Sequence, residues 1–532
     1  MRHRVIAILC AVSSLLSAPA QERQTWGMWL NWGDQHNGTY LNPVIPADYS
    51  DIDCIRVGNT YYAISSTFQY SPGMTLIRSY DLVNWDICTN IVTDITQIGK
   101  ELDWSRMNRY GRGIWAGTIR YHNNRFYVFF GTPDEGFFMT SATKPEGPWE
   151  PLTKLLGGPG WDDCSALWDE DGKAYFVGTH FADGYKTYLF DMAPDGKSID
   201  RSSARLINSG NRREASKLIH VGDWYYLVFS EFISSKGRYV MAKRSRNAAG
   251  PYSEERQLAL PSRKDKEPNQ GGIIDNGDGK WYFFTHHGSG DWSGRVASLL
   301  PVTWIDGWPI IGTIINDSIG TMCWEGQMPI KGKTVLTMQR SDDFDSNTIA
   351  PQWQWNYQPR KEMISLTERP GWLRLKAFKP LQTGILSKAG NTLTQRSFRT
   401  KGNTVTMKMD ISGMADGQRC GLCHFTVKHG AIGIVMEGGK HYIEYRENDK
   451  TVRGLQIAGN TIWLKTTWGL DGKASFSYSI DNKHYTDFGN VYQMVWFKYR
   501  GDRIGIYCFN DNGEEGFVDI DYLHYDIEQH WD

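Results

Sequence analysis

The chain has 532 residues with 58 basic and 59 acidic side chains, a formal net charge of −1, so it makes no electrostatic case for a nucleic-acid partner or an anionic membrane surface. Its length exceeds what one ordinary core sustains and implies two or three domains. Aromatic residues form 13% of the chain, including 22 tryptophans, a content that suits a strand-dominated core and stacking on sugar faces.

The first twenty residues, MRHRVIAILCAVSSLLSAPA, place Arg2 and Arg4 before an apolar run too short to span a bilayer, with Ala18-Pro19-Ala20 as small residues for cleavage. Residues 1–20 therefore read as a secretory signal, with Gln21 the mature start and an exported, periplasmic or secreted product that does not insert in the membrane. Cys10 lies inside the run, but the bulky Leu9 before it argues against lipid attachment. Seven further cysteines are scattered and suggest no disulfide framework.

Short strands bounded by Gly, Asn and Asp turns follow, with almost no long helical periodicity. A turn and an aromatic strand recur as VGNTYYAIS (57–65), HNNRFYVFFG (122–131), DGKAYFVGT (171–179), VGDWYYLVFS (221–230) and DGKWYFFTH (278–286). Copies about fifty residues apart predict a propeller of four-stranded blades over residues 21–335. A strand precedes each copy, and these align as Asp51–Ile55, Trp115–Ile119, Asp163–Leu167, Glu214–Leu218 and Gln270–Ile274. The third column holds small or polar residues, Asp53, Gly117, Ser165, Ser216 and Gly272, as a narrow central channel requires. The first column reads Asp51, Trp115, Asp163, Glu214 and Gln270, so three carboxylates from three blades face one funnel. Carboxylates gathered in a cleft cannot all ionise normally; one stays protonated as an acid while another serves as base, the pair that glycoside hydrolysis needs. Nearby, Asp53 sits deeper in the channel, Asp48 reads as a turn residue, and Asp162 falls out of register and reads as a loop hydrogen-bonder.

After Trp308-Pro309 the blade pattern ends, and from about Asp342 strands with Gly and Asn turns continue to the C-terminus, predicting a β-sandwich over residues 336–532. Within it, Cys420-Gly421-Leu422-Cys423-His424 fits a c-type haem attachment pattern. Its flanks read as strands broken by glycine turns, so two strand cysteines are the reading taken.

The segments NPVIPADYSDIDCIRVGNTYY (42–62), GIWAGTIRY (113–121), GWDDCSALWDEDGKAYFVG (160–178), REASKLIHVGDWYYLVFSE (213–231) and SGRVASLLPVTWIDGWPIIG (293–312) resemble glycoside hydrolase family 43. QWQWNYQP and SLTERPGWLRL resemble the concanavalin-like sandwich attached to that family's β-xylosidases and α-L-arabinofuranosidases. The resemblance implies an all-β, five-bladed propeller enzyme that inverts the anomeric centre. By it, Asp51 matches the general base, Glu214 the general acid, and Asp163 the third acid that orients Glu214 and raises its pKa. Inversion implies roughly 6.5–9.5 Å between base and acid, to admit water.

Arg295 matches an arginine that holds the terminal sugar's hydroxyls, and Trp115, Phe68, Tyr70 and Gln270 are candidates for the pocket wall. His286 and His287 fall where relatives place a histidine beside a structural calcium on the propeller axis, although no cofactor is required. The family's usual Asp-Pro and Glu-Gly-Pro are replaced here by Asp51-Ile52, Asp163-Cys164 and Glu214-Ala215, changes that bear on subsite shape.

The expected activity is exo-release of terminal pentose from an arabinose- or xylose-containing oligosaccharide or polysaccharide, with α-L-arabinofuranosidase placed narrowly ahead of β-xylosidase. A glycan-binding propeller without activity is the alternative. A retaining fructan-type hydrolase is disfavoured, because its Asn-Asp-Pro-Asn-Gly and Arg-Asp-Pro signatures are missing. The sandwich is expected to bind polysaccharide or to lend a loop to the pocket rim, and no oligomeric state is implied.

Overall fold

The structure, a computed structural model, describes residues 32–233, 237–261, 268–288, 291–316 and 318–528. The signal segment, with Cys10 and Gln21, lies outside the described residues.

Five sheets form in sequence order, antiparallel except where Ala259 pairs in parallel with Gly320 in the fourth. Their first strands are β1 (Asp53–Val57), β2 (Gly117–His122), β3 (Trp161–Trp168), β4 (Glu214–Val221) and β5 (Gly271–Asp275). Each of the five recurrent turns connects a first strand to the second strand of its sheet. At the second sheet the turn is Asn123-Asn124, with φ of 47° and 58°, the left-handed pair that a tight hairpin needs to match strand twist. Four sheets have four strands, and the fourth is widened to six by Thr313–Ile314 and Gly320–Thr321.

Successive sheets pack face to face, so both faces of a strand such as Arg125–Thr132 are covered and its sequence is a continuous apolar run. Ile64, Leu76, Ile119 and Phe130 fill the space between the first and second sheets. Phe129, Phe137 and Phe176 do so between the second and third, and Val177, Leu189, Leu218 and Phe229 between the third and fourth. The fourth meets the fifth through Val228, Val240, Phe283 and Leu300. The fifth returns to the first through Ala63, Ile77, Phe284 and Leu299, with Trp85 stacked on Phe284 at 4.6 Å. Each buried phenylalanine contributes on the order of 2 kcal/mol.

The first strands meet at the centre. Asp53 Oδ2 accepts from Thr118 Oγ1 at 2.6 Å and from the Ile119 N–H at 3.0 Å, and Ser165 Oγ accepts from the Leu218 N–H at 3.0 Å. A Cβ on Gly272 would stand 2.7 Å from the Cys54 nitrogen. The small-residue column is thus set by backbones in close approach.

Residues beyond 341 build two sheets of eight strands each. One borrows an edge strand from the first half of the chain, since Tyr70–Ser71 pairs with Gln354–Asn356. The division expected near residue 335 is therefore bridged by main-chain hydrogen bonds. The Gln418–Phe425 strand turns Cys420 and Cys423 to opposite faces of its sheet, into two different apolar clusters. His424, next after Cys423, bonds Thr466 at 3.0 Å and Asp502 at 3.3 Å. These are strand cysteines, as read, and all seven described cysteines are free thiols.

No helix among the described residues is long and apolar enough to cross a membrane.

Candidate active site

All five residues of the first column line one pocket of about 360 Å³, at the small end of the range for ligand sites. Asp51, Trp115 and Gln270 stand just before their strands begin, and Glu214 opens β4. Asp163 lies in a bulge of β3, with φ of 44°. Asp51 (φ 57°), Phe68 (φ 58°) and Ala215 (φ 62°) also take left-handed conformations, the kind of stored backbone strain that clusters at working sites.

Asp51 is held on both oxygens. Oδ1 pairs with Arg295 Nη1 at 2.8 Å, and Oδ2 accepts a short bond from Ser66 Oγ. Burial raises its pKa, but Arg295, His286 and Ser66 together outweigh burial, and the net direction is down. Burial also drives His286 down to about 3. His286 is therefore neutral at physiological pH, consistent with Nδ1 accepting the Asp51 N–H at 2.9 Å, and the lasting partners of the carboxylate are Arg295 and Ser66.

Glu214 faces the opposite condition. Burial raises its pKa, Asp163 and Asp51 add to the rise, Arg238 and Arg295 oppose it, and it settles at about 7. Arg238 Nη2 lies 2.8 Å from Oε1. Asp163 binds the chain beside Glu214, accepting the Ala215 N–H at 2.7 Å on one oxygen and Gln270 Nε2 at 2.8 Å on the other. Burial raises Asp163 as well. One acid is thus kept ionised and another kept protonated near neutrality, the division that general acid–base chemistry requires.

The wall is aromatic: Phe68, Trp115, Phe181, Tyr185 and Tyr499. Tyr499 comes from the C-terminal half and stacks on Phe68 at 6.4 Å and meets Trp115 edge-on at 5.9 Å. The sandwich therefore does lend a loop to the rim. Phe181, Tyr185, Tyr499, Arg112 and Arg238 were not singled out in the sequence. Only Arg112, three residues before Trp115, carries a local signal. The others arrive by long-range packing.

Three expectations are corrected. Tyr70 is fully buried beneath the pocket, under the Arg503 guanidinium at 4.0 Å, and does not line it. Asp162 is not a loop residue: it belongs to β3 and faces the pocket. Asp48 does more than terminate a turn. Its buried carboxylate pairs with Arg500 Nη2 of the sandwich at 2.7 Å and accepts the Arg295 N–H at 3.0 Å, tying the C-terminal half of the chain to the arginine that pairs with Asp51. Gly294 permits this contact, because a Cβ there would lie 2.5 Å from Asp48 Cγ.

The same geometry bears on whether these residues fit a calcium ion. His286 lines the pocket, but with Nδ1 accepting from Asp51 its neutral ring carries the proton on Nε2, which leaves no lone pair for a metal. His287 Nδ1 is engaged with Ser298 Oγ at 2.6 Å. Deeper in, Lys217 Nζ donates to the carbonyls of Gly117 at 2.5 Å and Cys164 at 3.1 Å and lies 4.0 Å from Asp53. The carbonyl and carboxylate oxygens that would attract a hard cation are served by an ammonium, so these residues do not fit the ion.

Comparison with known proteins agrees with this geometry. The model for glycosyl hydrolases family 43 matches residues 40–309, and that for the beta xylosidase C-terminal concanavalin A-like domain matches residues 341–526. A beta-xylosidase of Formosa agariphila is 32% identical over 94% of this chain and 92% of its own length. A non-reducing end alpha-L-arabinofuranosidase of Bacteroides ovatus is 27% identical over 66% of this chain and 67% of its own. A solved structure described as a bifunctional GH43-CE of Bacteroides eggerthii superposes with a TM-score of 0.80 at 29% identity, covering 92% of this chain. This chain spans 64% of that longer one. The pocket of opposed carboxylates and the family match over both halves lead to one identification: the chain is a glycoside hydrolase belonging to family 43.

Proposed function

We propose that the protein is an inverting exo-glycosidase that releases a terminal pentose from xylan- or arabinose-containing glycans. The observation that carries this is the pairing of Asp51, held ionised by Arg295, with Glu214, raised to about 7, in one small pocket. In this reading Asp51 is the general base that takes a proton from water as it attacks the anomeric carbon. Glu214 is the general acid that protonates the departing glycosidic oxygen, and Asp163 orients it through the Ala215 N–H. Inversion needs both steps from opposite faces of the sugar. A pocket of about 360 Å³ suits one end of a chain better than a polymer lying across it. We read the five sheets as five blades of a propeller and residues 1–20 as an export signal, placing the enzyme in the periplasm or outside the cell.

β-D-Xylose is placed ahead of α-L-arabinofuranose, the reverse of the order the sequence suggested. A relative that matches over 94% of this chain carries the beta-xylosidase name, whereas the arabinofuranosidase matches over about two thirds. Cleavage of aryl β-D-xyloside and aryl α-L-arabinofuranoside, measured side by side for wild type, Asp51→Asn and Glu214→Gln, tests the reading. Release by wild type and loss in both variants is expected. If both variants retain wild-type rates, the roles are wrong; if wild type cleaves neither glycoside but binds pentose, the protein is a glycan binder.

A further inference from the structure

Asp162 is the fourth carboxylate of the pocket, beside Asp51, Asp163 and Glu214. Consecutive residues of a regular strand point to opposite faces. Here a bulge intervenes: Asp162 pairs with Thr179, Cys164 pairs with Gly178, and Asp163 between them takes φ of 44°. Both carboxyls therefore reach the same cavity.

Their situations differ. Asp163 has a donor on each oxygen. Asp162 Oδ1 is buried and has no hydrogen-bond partner among the described residues. The groups facing it are acidic: burial, then Asp163, Asp51 and Glu214 push its pKa well up, and only the Asp163 backbone N–H favours the ion. Of the guanidiniums at the site, Arg295 is paired with Asp51, Arg238 with Glu214 and Arg112 with Asp134. A carboxyl kept neutral carries one O–H donor, and a buried donor is costly unless it finds an acceptor. The cavity is the direction from which an acceptor arrives, and in the reaction proposed above the occupant is a sugar rimmed with hydroxyl oxygens.

We propose that Asp162 is a specificity-determining residue, whose carboxyl donates a hydrogen bond to one hydroxyl oxygen of the bound terminal sugar. This rests on the pentosidase reading. It makes the discrimination chemical: a site built to bond a hydroxyl rejects the sugar that lacks it more strongly than an apolar wall does.

The test compares wild type, Asp162→Asn and Asp162→Leu on the aryl pentoside that is cleaved and on its singly deoxygenated analogues. On the parent glycoside, Asp162→Leu is expected to lose kcat/KM by about 100-fold, and Asp162→Asn, whose amide also donates, by no more than about tenfold. For one deoxy analogue, wild type should show a penalty of about 100-fold that shrinks to about threefold in Asp162→Leu. Asp162→Ala supplies the same comparison if the leucine variant does not fold. Unchanged deoxy penalties in the apolar variant, or an asparagine variant as poor as leucine, overturn the proposal while leaving the pentosidase reading intact. A wild type inactive on both aryl pentosides overturns the two together.

Discussion

Asp51 and Asp53 are two residues apart, both buried, and belong to opposite kinds of site. Around Asp51 the innermost strands open into a layer of four carboxylates, Asp51, Asp162, Asp163 and Glu214, against the guanidiniums of Arg295 and Arg238. One level deeper, Asp53 is alone among acids and is met by Arg120 Nη1 at 2.8 Å, the Thr118 hydroxyl, the Ile119 N–H and Lys217 at 4.0 Å. The upper layer has excess acid and left-handed backbone at Asp51, Asp163 and Ala215, whereas the lower sits in regular strand. Burial alone therefore does not make an acid chemical. Its partners do: where cations outnumber carboxylates the acid is a strut, and where carboxylates outnumber cations one acid must keep its proton.

The largest effects should separate the layers cleanly. Asp51→Asn and Glu214→Gln are expected to lower kcat/KM by at least about 10³-fold, and Glu214→Gln to keep a urea midpoint equal to or above wild type, because it relieves the burial and like-charge crowding that raise Glu214. Asp53→Asn should do the reverse. It leaves Lys217 and Arg120 without their buried counter-charge at about 3–5 kcal/mol, read as a lowered urea midpoint, while the protein that stays folded keeps its kcat. Activity loss in Asp53→Asn without loss of stability would erase the distinction.

The layers should also answer pH with opposite signs. Glu214 has its folded pKa raised to about 7, so its contribution to stability is fully present below its unfolded pKa and is lost as pH rises through about 7. Burial pushes Asp53 up, but Lys217, Arg120, Thr118 and Ile119 bring its net shift down, so its contribution is present at neutral pH and lost as pH falls through that lowered value. Relative to wild type, Glu214→Gln should therefore gain stability between pH 5 and pH 8, and Asp53→Asn should lose its disadvantage only in strong acid. Activity follows the upper layer: kcat/KM falls above about pH 7 as Glu214 ionises. Because Asp163 helps hold that pKa up, Asp163→Asn should move the alkaline limb to lower pH. A limb that stays put would remove Asp163 from the proton balance.

How much of this was legible depended on sequence distance. The five first strands repeat the same turn and aromatic run, so aligning the chain with itself brought Asp51, Trp115, Asp163, Glu214 and Gln270 into the column that lines the pocket. Tyr499 and Arg238 had no such repeat to mark them. Tyr499 reaches Phe68 across more than four hundred positions, and nothing local distinguishes it from other aromatic turns of the sandwich. Asp162 was misread because a period-two strand turns it away from Asp163, and the bulge that turns it back leaves no residue signature. Tyr70 was misread for a related reason: its neighbour Phe68 does line the wall, but Tyr70–Ser71 is drawn off as an edge strand of the sandwich.

The smallest expected effect bears on the strain that separates the layers. Ala215 holds φ of 62° while its N–H bonds Asp163, and it is buried. A non-glycine residue in that region costs roughly 1–2 kcal/mol, and glycine would remove that cost. Glycine also forgoes a buried methyl, about 0.8 kcal/mol, and gains freedom in the unfolded chain worth about 0.4–1 kcal/mol. The terms nearly cancel, so Ala215→Gly should shift the urea midpoint by less than the equivalent of about 1 kcal/mol. Valine at the same position adds a branched Cβ to a left-handed backbone and should be clearly destabilising. The informative quantity is kcat. If the left-handed turn serves to aim the Ala215 N–H at Asp163 and so to seat Glu214, the freer glycine backbone should lower kcat several-fold with KM little changed, and valine should lower it further. Equal kcat in alanine and glycine enzymes would mean that the strain is merely how the strand enters the pocket, and that Asp163 alone holds the acid in place.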